Sequence, residues 1–364
     1  MQTVWSISGT IILAGILAIA GCESEERTEA PSPLQARATF AVPDGAEIVV
    51  LNSSLATEVF AEDARIEKLT EDRFGWSEGP VWIQDDANLL FSDVPGNTIY
   101  KWSEKAGLEV FLQPSGYDGE DRAGVFREPG ANGLIRGDIP GTILLGDHGN
   151  RAIARLDLET KDKTFLATDF EGKRFSSPND LVLTEDGAIY FTDPPYGLKG
   201  EDSSPFKEMA FNGVYLWRSG DGGGSVAVID DSLTRPNGVA LSPDSETLYV
   251  SVSDPEAARV YAYSLGPDGM ATNRRVFVDL TRMVEGGFSG LPDGMAVDVD
   301  GRVYVAGPGG IHVFLPDGTP IARITTGAPI ANCAFGDDGR TLYLTSGAFL
   351  GRIRLKATGL GFKG

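Results

Sequence analysis

The chain has 364 residues, 41% apolar and 23% charged, which suits a soluble globular protein of one large all-β domain or two ordinary ones. A formal net charge of −21 repels phosphate backbones and anionic membrane surfaces, which excludes nucleic acid as a partner and favours cations. Two cysteines (Cys22, Cys333) cannot staple a scaffold of this size, and two histidines leave no zinc spacing and no multi-histidine metal site.

Residues 1–21 hold no Asp, Glu, Lys or Arg, and their apolar run Ile11 to Gly21 stops at Cys22. A short apolar core closed by small residues predicts a signal peptide of the lipoprotein type rather than a membrane span. Ile19-Ala20-Gly21-Cys22 resembles a bacterial lipobox, in which the cysteine becomes the lipidated first residue, although the basic start usual in export signals is missing. An uncleaved anchor helix is the alternative. Either way the domain is expected tethered outside the cytoplasm; in the lipoprotein reading it sits in the bacterial cell envelope, held to the membrane through lipid on Cys22 and facing the periplasm or exterior. Residues 22–45 are polar, acidic and proline-bearing, and predict a flexible linker.

From residue 46 to 364 no sustained helical period occurs. Short apolar runs alternate with Gly, Asp, Asn and Pro turns. Six polar openings recur: Ser77-Glu78-Gly79-Pro80, Ala131-Asn132-Gly133, Pro178-Asn179-Asp180, Pro236-Asn237-Gly238, Pro292-Asp293-Gly294 and Ala331-Asn332-Cys333. Each is followed after 12 or 13 residues by the centre of a second apolar strand, at Phe91, Leu145, Phe191, Val250, Val305 and Leu344. Asp186-Gly187, Asp300-Gly301 and Asp338-Gly339 before apolar runs are hairpin signals. Centres 39 to 59 residues apart suit one four-stranded antiparallel sheet per repeat, so the expected architecture is an all-β, six-bladed β-propeller. A strand near Arg65–Leu69 is expected to close the last blade.

In a propeller the innermost strands line the central channel. Glu78, Asn132, Asn179, Asn237, Asp293 and Asn332 are therefore expected to face one axis. Asn-Gly and Asp-Gly are also ordinary turn dipeptides, but six in register, with Glu at the first, go beyond turn chemistry. Two carboxylates with several amide carbonyls suit a hard divalent cation, calcium first and magnesium as the stricter alternative. The charge left on the ion would polarise a carbonyl or acidify a water, and a carboxylate beside it could take the proton.

These segments resemble the senescence marker protein/gluconolactonase (regucalcin-like) family, in particular its bacterial gluconolactonase branch. The resemblance runs from about Leu69 to Leu355 and includes Asp147-His148-Gly149-Asn150-Arg151, Tyr190-Phe191-Thr192-Asp193-Pro194-Pro195-Tyr196-Gly197 and Gly307-Pro308-Gly309-Gly310. It implies one divalent cation, usually Ca2+ with Mg2+, Zn2+ or Mn2+ open, held by Glu78, Asn237 and Asp293. Asn179 would be a ligand or a substrate contact. It also implies hydrolysis of a sugar lactone to its aldonic acid, with Asp293 as general base. Some members carry an Arg where Ser177 stands, which leaves the substrate open.

Asn132, His148 and Tyr196 are the other candidate substrate contacts, and Asn332 a candidate for channel water. Lys173 and Arg174 could meet a product carboxylate or pair with nearby acids. His312 and Cys333 read as structural, and Trp76 and Trp82 as packing residues. An ester or phosphotriester hydrolase on the same site, and a non-catalytic lipoprotein that binds sugar acids, remain alternatives. No protein partner is inferred.

Overall fold

The structure, a computed structural model, describes residues 40–362 apart from 221 and 222. The expected signal peptide, Cys22 and the linker up to residue 39 lie outside the described residues. Of the remaining linker, Ala41 bridges to Lys68 and Phe40 packs on Trp102.

Six antiparallel sheets follow one another in sequence order, with an extra two-stranded hairpin at residues 169–174. Blade 1 comprises Ser77–Ile83, Asn88–Asp93, Thr98–Ser103 and Gly107–Leu112. Blade 2 comprises Ala131–Arg136, Thr142–Asp147, Ala152–Asp157 and Lys163–Ala167. Blade 3 comprises Leu181–Leu183, Ile189–Asp193, Gly213–Arg218 and Ser225–Asp230. Blade 4 comprises Pro236–Leu241, Thr247–Val252, Arg259–Leu265 and Ala271–Asp279. Blade 5 comprises Met295–Val297, Val303–Gly307, Gly310–Phe314 and Pro320–Thr326. Blade 6 comprises Asn332–Gly336, Thr341–Ser346 and Phe349–Arg354, and is completed by Ile66–Lys68, with Ile66 opposite Ile353. All six expected strand centres fall in second strands, and the closing strand is where the sequence places it.

Blade 5 carries a fifth strand, Ala46–Val50, paired antiparallel with Pro320–Thr326. The short helix Ser53–Val59 follows, capped by the Asn52 side chain, and buries Ala56 and Val59 between blades 5 and 6.

The core is not one centre but a separate apolar cluster at each blade–blade interface. Leu90 and Ile99 of blade 1 meet Leu134 and Leu145 of blade 2, while Leu89 and Phe91 point the other way, to Tyr343 of blade 6. Side chains alternate between faces along a strand. Both faces of these sheets are covered, so the second strands read as unbroken apolar runs; Asn88–Asp93 is buried throughout. First strands of neighbouring blades contact one another all the way round, which puts their leading residues at one axis.

Candidate active site

One mouth of the axis opens into a cavity of about 760 Å³. Glu78, Asn132, Asn179, Asn237 and Asp293, from the leading ends of blades 1 to 5, all line it. Round the ring the remaining lining changes character. Arg127, Glu128, Tyr196 and Ser253, from the connections of blades 1 to 4, are polar. Val284, Leu291, Pro329, Ile330, Trp76 and Pro95, from the connections of blades 4 to 6 and blade 1, are mostly apolar.

The polar–glycine pairs are not turns. The inner strands bulge there, between Glu78 and Val81, Ala131 and Leu134, and Pro236 and Val239. Glycine is needed because the next blade passes directly over it. A Cβ on Gly79 would sit 2.1 Å from the Asn132 carbonyl oxygen, and one on Gly238 2.3 Å from that of Asp293. Hydroxyls on second strands then fix the same carbonyls: Ser92 donates to Asn132 O at 2.8 Å, Thr192 to Asn237 O at 2.6 Å and Ser251 to Asp293 O at 2.8 Å. Asn132, Asn237 and Asp293 are thus each held by the blade before them.

Side-chain oxygens are left for the cavity. Ser253 donates to Pro292 O at 2.5 Å and accepts from Asn237 Nδ2 at 2.8 Å, which orients the Asn237 amide and leaves its Oδ1 buried without a partner. Oδ1 of Asp293 is likewise buried and unpartnered. Glu78 Oε2 accepts from Gly79 N at 2.9 Å and from Asn332 Nδ2 at 3.3 Å. Buried oxygens without donors are costly unless a ligand meets them. Carboxylate and amide oxygens of this kind fit a hard cation. Among the described residues no three His, Cys, Asp or Glu side chains form a metal-binding group, so an ion here relies on the amides of Asn179 and Asn237 beside Glu78 and Asp293.

The carboxyls of this axis hold their protons unusually tightly. Burial pushes Glu78 up to about 8, with Asp180 and Glu128 adding repulsion. Burial, then Glu78 and Asp180, raise Asp293 well above the usual carboxylate range. Burial alone pushes Asp180 up to about 7, against backbone donors Leu181 N at 3.0 Å and Val239 N at 3.1 Å. A cation among them would reverse this preference.

Of the expected substrate contacts, Asn132 and Tyr196 line the cavity. The Arg235 guanidinium lies 5.6 Å from the centre of the Tyr196 ring, and burial raises the Tyr196 hydroxyl above its ordinary range. His148 is wholly buried and is not among the residues lining the cavity; its ring nitrogens face Asn132 and Glu128, which are. Asn332 is also set apart from the other five. It supports Glu78 and lines the opposite mouth. Ser177 is buried, accepting from Gly197 N at 2.9 Å and donating to Pro194 O at 2.6 Å, so it holds the Tyr196 loop. Lys173 and Arg174 sit exposed on the extra hairpin, and Arg174 donates to Asn150 O at 2.9 Å. Trp82 stacks on Tyr343 as a packing residue, but Trp76 lines the cavity. His312 faces Pro308 O at 2.9 Å, and burial lowers it to about 4. Cys333 is buried.

Sequence reasoning missed Glu128, Ser253 and Asp180. Asp180 was visible as the second half of an Asn-Asp pair, and Ser253 as part of Ser251-Val252-Ser253-Asp254. Glu128 lies in a connection without any repeat to mark it.

A radial ring of six antiparallel sheets with an oxygen-lined cavity at one mouth of its axis defines a six-bladed propeller. Residues 76–348 match the model of the SMP-30/Gluconolactonase/LRE-like region, and the chain belongs to that family. It is 42% identical over 313 residues to a gluconolactonase of Zymomonas mobilis subsp. mobilis, covering 85% of this chain and 84% of that protein. A solved gluconolactonase from Xanthomonas campestris is 31% identical, superposes with a TM-score of 0.73, and the match covers 88% of this chain and 99% of that one. A calcium-binding regucalcin structure from Agrobacterium tumefaciens, 19% identical with a TM-score of 0.60 over 81% of this chain and 95% of that one, shares the fold.

Proposed function

We propose that the chain is a cation-dependent lactonase that opens a sugar lactone, of the gluconolactone type, to its aldonic acid. The observation that carries the reading is the pair of buried, unpartnered oxygens, Asn237 Oδ1 and Asp293 Oδ1, at a cavity also lined by Glu78 and Asn179. The gluconolactonase relatives support the substrate class. Calcium is the ion we favour, since carboxylate and amide oxygens at flexible geometry suit it best. When bound, it supplies Lewis-acid polarisation of the lactone carbonyl.

The chain's own residues do the rest. Asp293 accepts a proton from a water as that water's oxygen bonds to the carbonyl carbon. The ring C–O bond then breaks, and the proton on Asp293 passes to the departing ring oxygen. The product is an open-chain hydroxy acid. Asn237 and Glu78 are held in place by Ser253, Gly79 and Asn332, so little reorganisation accompanies the step.

The test is hydrolysis of glucono-δ-lactone by the purified chain, stripped of metal and resupplied with single cations. A rate indifferent to stripping removes the cation from the mechanism. One observation favours a second reading: the apolar stretch from Val284 to Trp76 would suit an aryl or alkyl ester. Phenyl acetate and paraoxon in the same assay separate the two. Envelope localisation with a lipid on Cys22 is proposed from the sequence; Cys22→Ser should move the protein from the membrane to the soluble fraction, and retention at the membrane would end that reading.

A further inference from the structure

The lactonase reading leaves one buried cluster unused. His148 sits in the turn after Thr142–Asp147 and is 0% exposed. Its Nε2 lies 3.3 Å from Nδ2 of Asn132. Its Nδ1 faces Oε2 of Glu128 at 3.5 Å, beyond hydrogen-bond geometry, and is otherwise unpartnered. Asn132 and Glu128 line the cavity from the polar side.

The hydrogen-bond inventory orients this cluster. An amide NH2 only donates, so the ring nitrogen facing it is the acceptor. The proton of the neutral ring is then on Nδ1, where the facing group is a carboxylate that only accepts. With its NH2 committed to His148, Asn132 turns its carbonyl oxygen to the cavity. Arg127, 3.5 Å from Glu128, is shared with Glu201, which also binds Arg235. The cavity therefore meets two acceptors side by side, Asn132 Oδ1 and the Glu128 carboxylate.

We propose that His148 is a positioning residue which locks Asn132 as an acceptor beside the substrate-facing Glu128 carboxylate, so that this wall of the cavity selects a polyhydroxylated lactone over one without hydroxyl groups. The inference rests on the lactonase reading and names the part of the substrate that the reading leaves open. Hydroxyls of a sugar lactone donate to both oxygens. A bare lactone ring leaves them unpartnered, and sites built to bind a hydroxyl discriminate strongly against analogues that lack it.

The experiment compares kcat/KM for glucono-δ-lactone with that for δ-valerolactone in the full chain. His148→Leu should lower that ratio about tenfold through a higher KM for gluconolactone, and His148→Gln, which keeps an acceptor for Asn132, should restore most of it. A purely structural role would depress both substrates together, and an unchanged ratio overturns the proposal. Should His148→Leu fail to fold, Glu128→Ala carries the test with the same expected fall. Calorimetric binding of sodium gluconate separates this inference from the lactonase reading. If the wild type hydrolyses neither lactone but binds gluconate, and His148→Leu weakens that binding about tenfold, the inference stands while the lactonase reading falls. Binding that is absent, or equal in the two proteins, overturns the inference.

Discussion

The two mouths of the channel are built by the same strands and differ in almost everything else. At one, Glu78, Asn132, Asn179, Asn237 and Asp293 meet. At the other, a cavity of about 550 Å³ is lined by the continuation of those strands: Val81, Leu134, Leu181, Val239, Met295 and Cys333, with Phe362 from the C-terminal end. The polar residue leads each inner strand and apolar residues come within a few positions after it. The polar groups that line the first cavity thus gather at the entrance of each strand, and the remainder of its length serves packing. Polar residues reach the second mouth too, among them Arg136, Glu185 and Ser242; of the inner-strand ones, Asp180 joins blade 3 to blade 4 through Val239 N and Asn332 steadies Glu78.

The contrast breaks most sharply at Asp293. Asp293→Asn should lower lactone turnover by about 10²- to 10⁴-fold while the melting temperature stays within a few degrees; a near-normal rate would remove the base from the reactive mouth. Next comes the passage of one blade over another. Gly238→Ala puts a methyl 2.3 Å from Asp293 O, and a loss of roughly 2–4 kcal/mol in denaturant unfolding is expected. A loss near zero would mean that the blades do not crowd at the axis.

The carboxyls give a pH test. Glu78 moves from 4.5 to about 8 on folding and Asp180 from 3.8 to about 7, so each binds its proton more tightly in the folded chain. Their contribution to stability is present in full below about pH 4 and is lost as pH rises through 7 to 8. In chelator the melting temperature should fall between pH 5 and 8, and calcium should raise it more at pH 8, where ligands are ionised, than at pH 5. A chelated protein that grows more stable over this window contradicts the assignment. The smallest effect belongs to the second mouth. Cys333→Ala should cost about 1 kcal/mol and leave lactone turnover within twofold; a large loss of activity would mean that the two mouths are coupled.

The sequence revealed the ring because repetition survives translation into structure. A polar residue, a glycine and an apolar strand at fixed distance recur often enough to define six blades and the closing strand near Ile66. What it could not show was the depth of each side chain. Asn237 and Asn332 occupy equivalent places in the repeat, yet Asn237 has a serine beside it that turns its oxygen to the cavity, whereas Asn332 is spent on Glu78. His148 looked like a mouth residue because it follows a second strand; the Tyr196 loop covers it, with a Cβ on Gly197 only 2.9 Å from His148 Cβ. The glycines were legible as a pattern but not as a cause, since the clash that requires them comes from another blade. Glu128 came from a connection, where no period operates. The fifth strand at Ala46–Val50 was hidden by its place before the first repeat.

The apolar clusters are six separate joints closed in a circle. A hinge in an open chain can swing by itself. In a closed linkage, widening one joint forces its neighbours to narrow or slide, and each is already close-packed. The aperture at the axis therefore behaves like an iris with its leaves pinned: its diameter is a shared property of all six joints. An ion or substrate at the centre finds a gauge already set, and a mutation far out in one blade reaches the centre only by moving the whole rim.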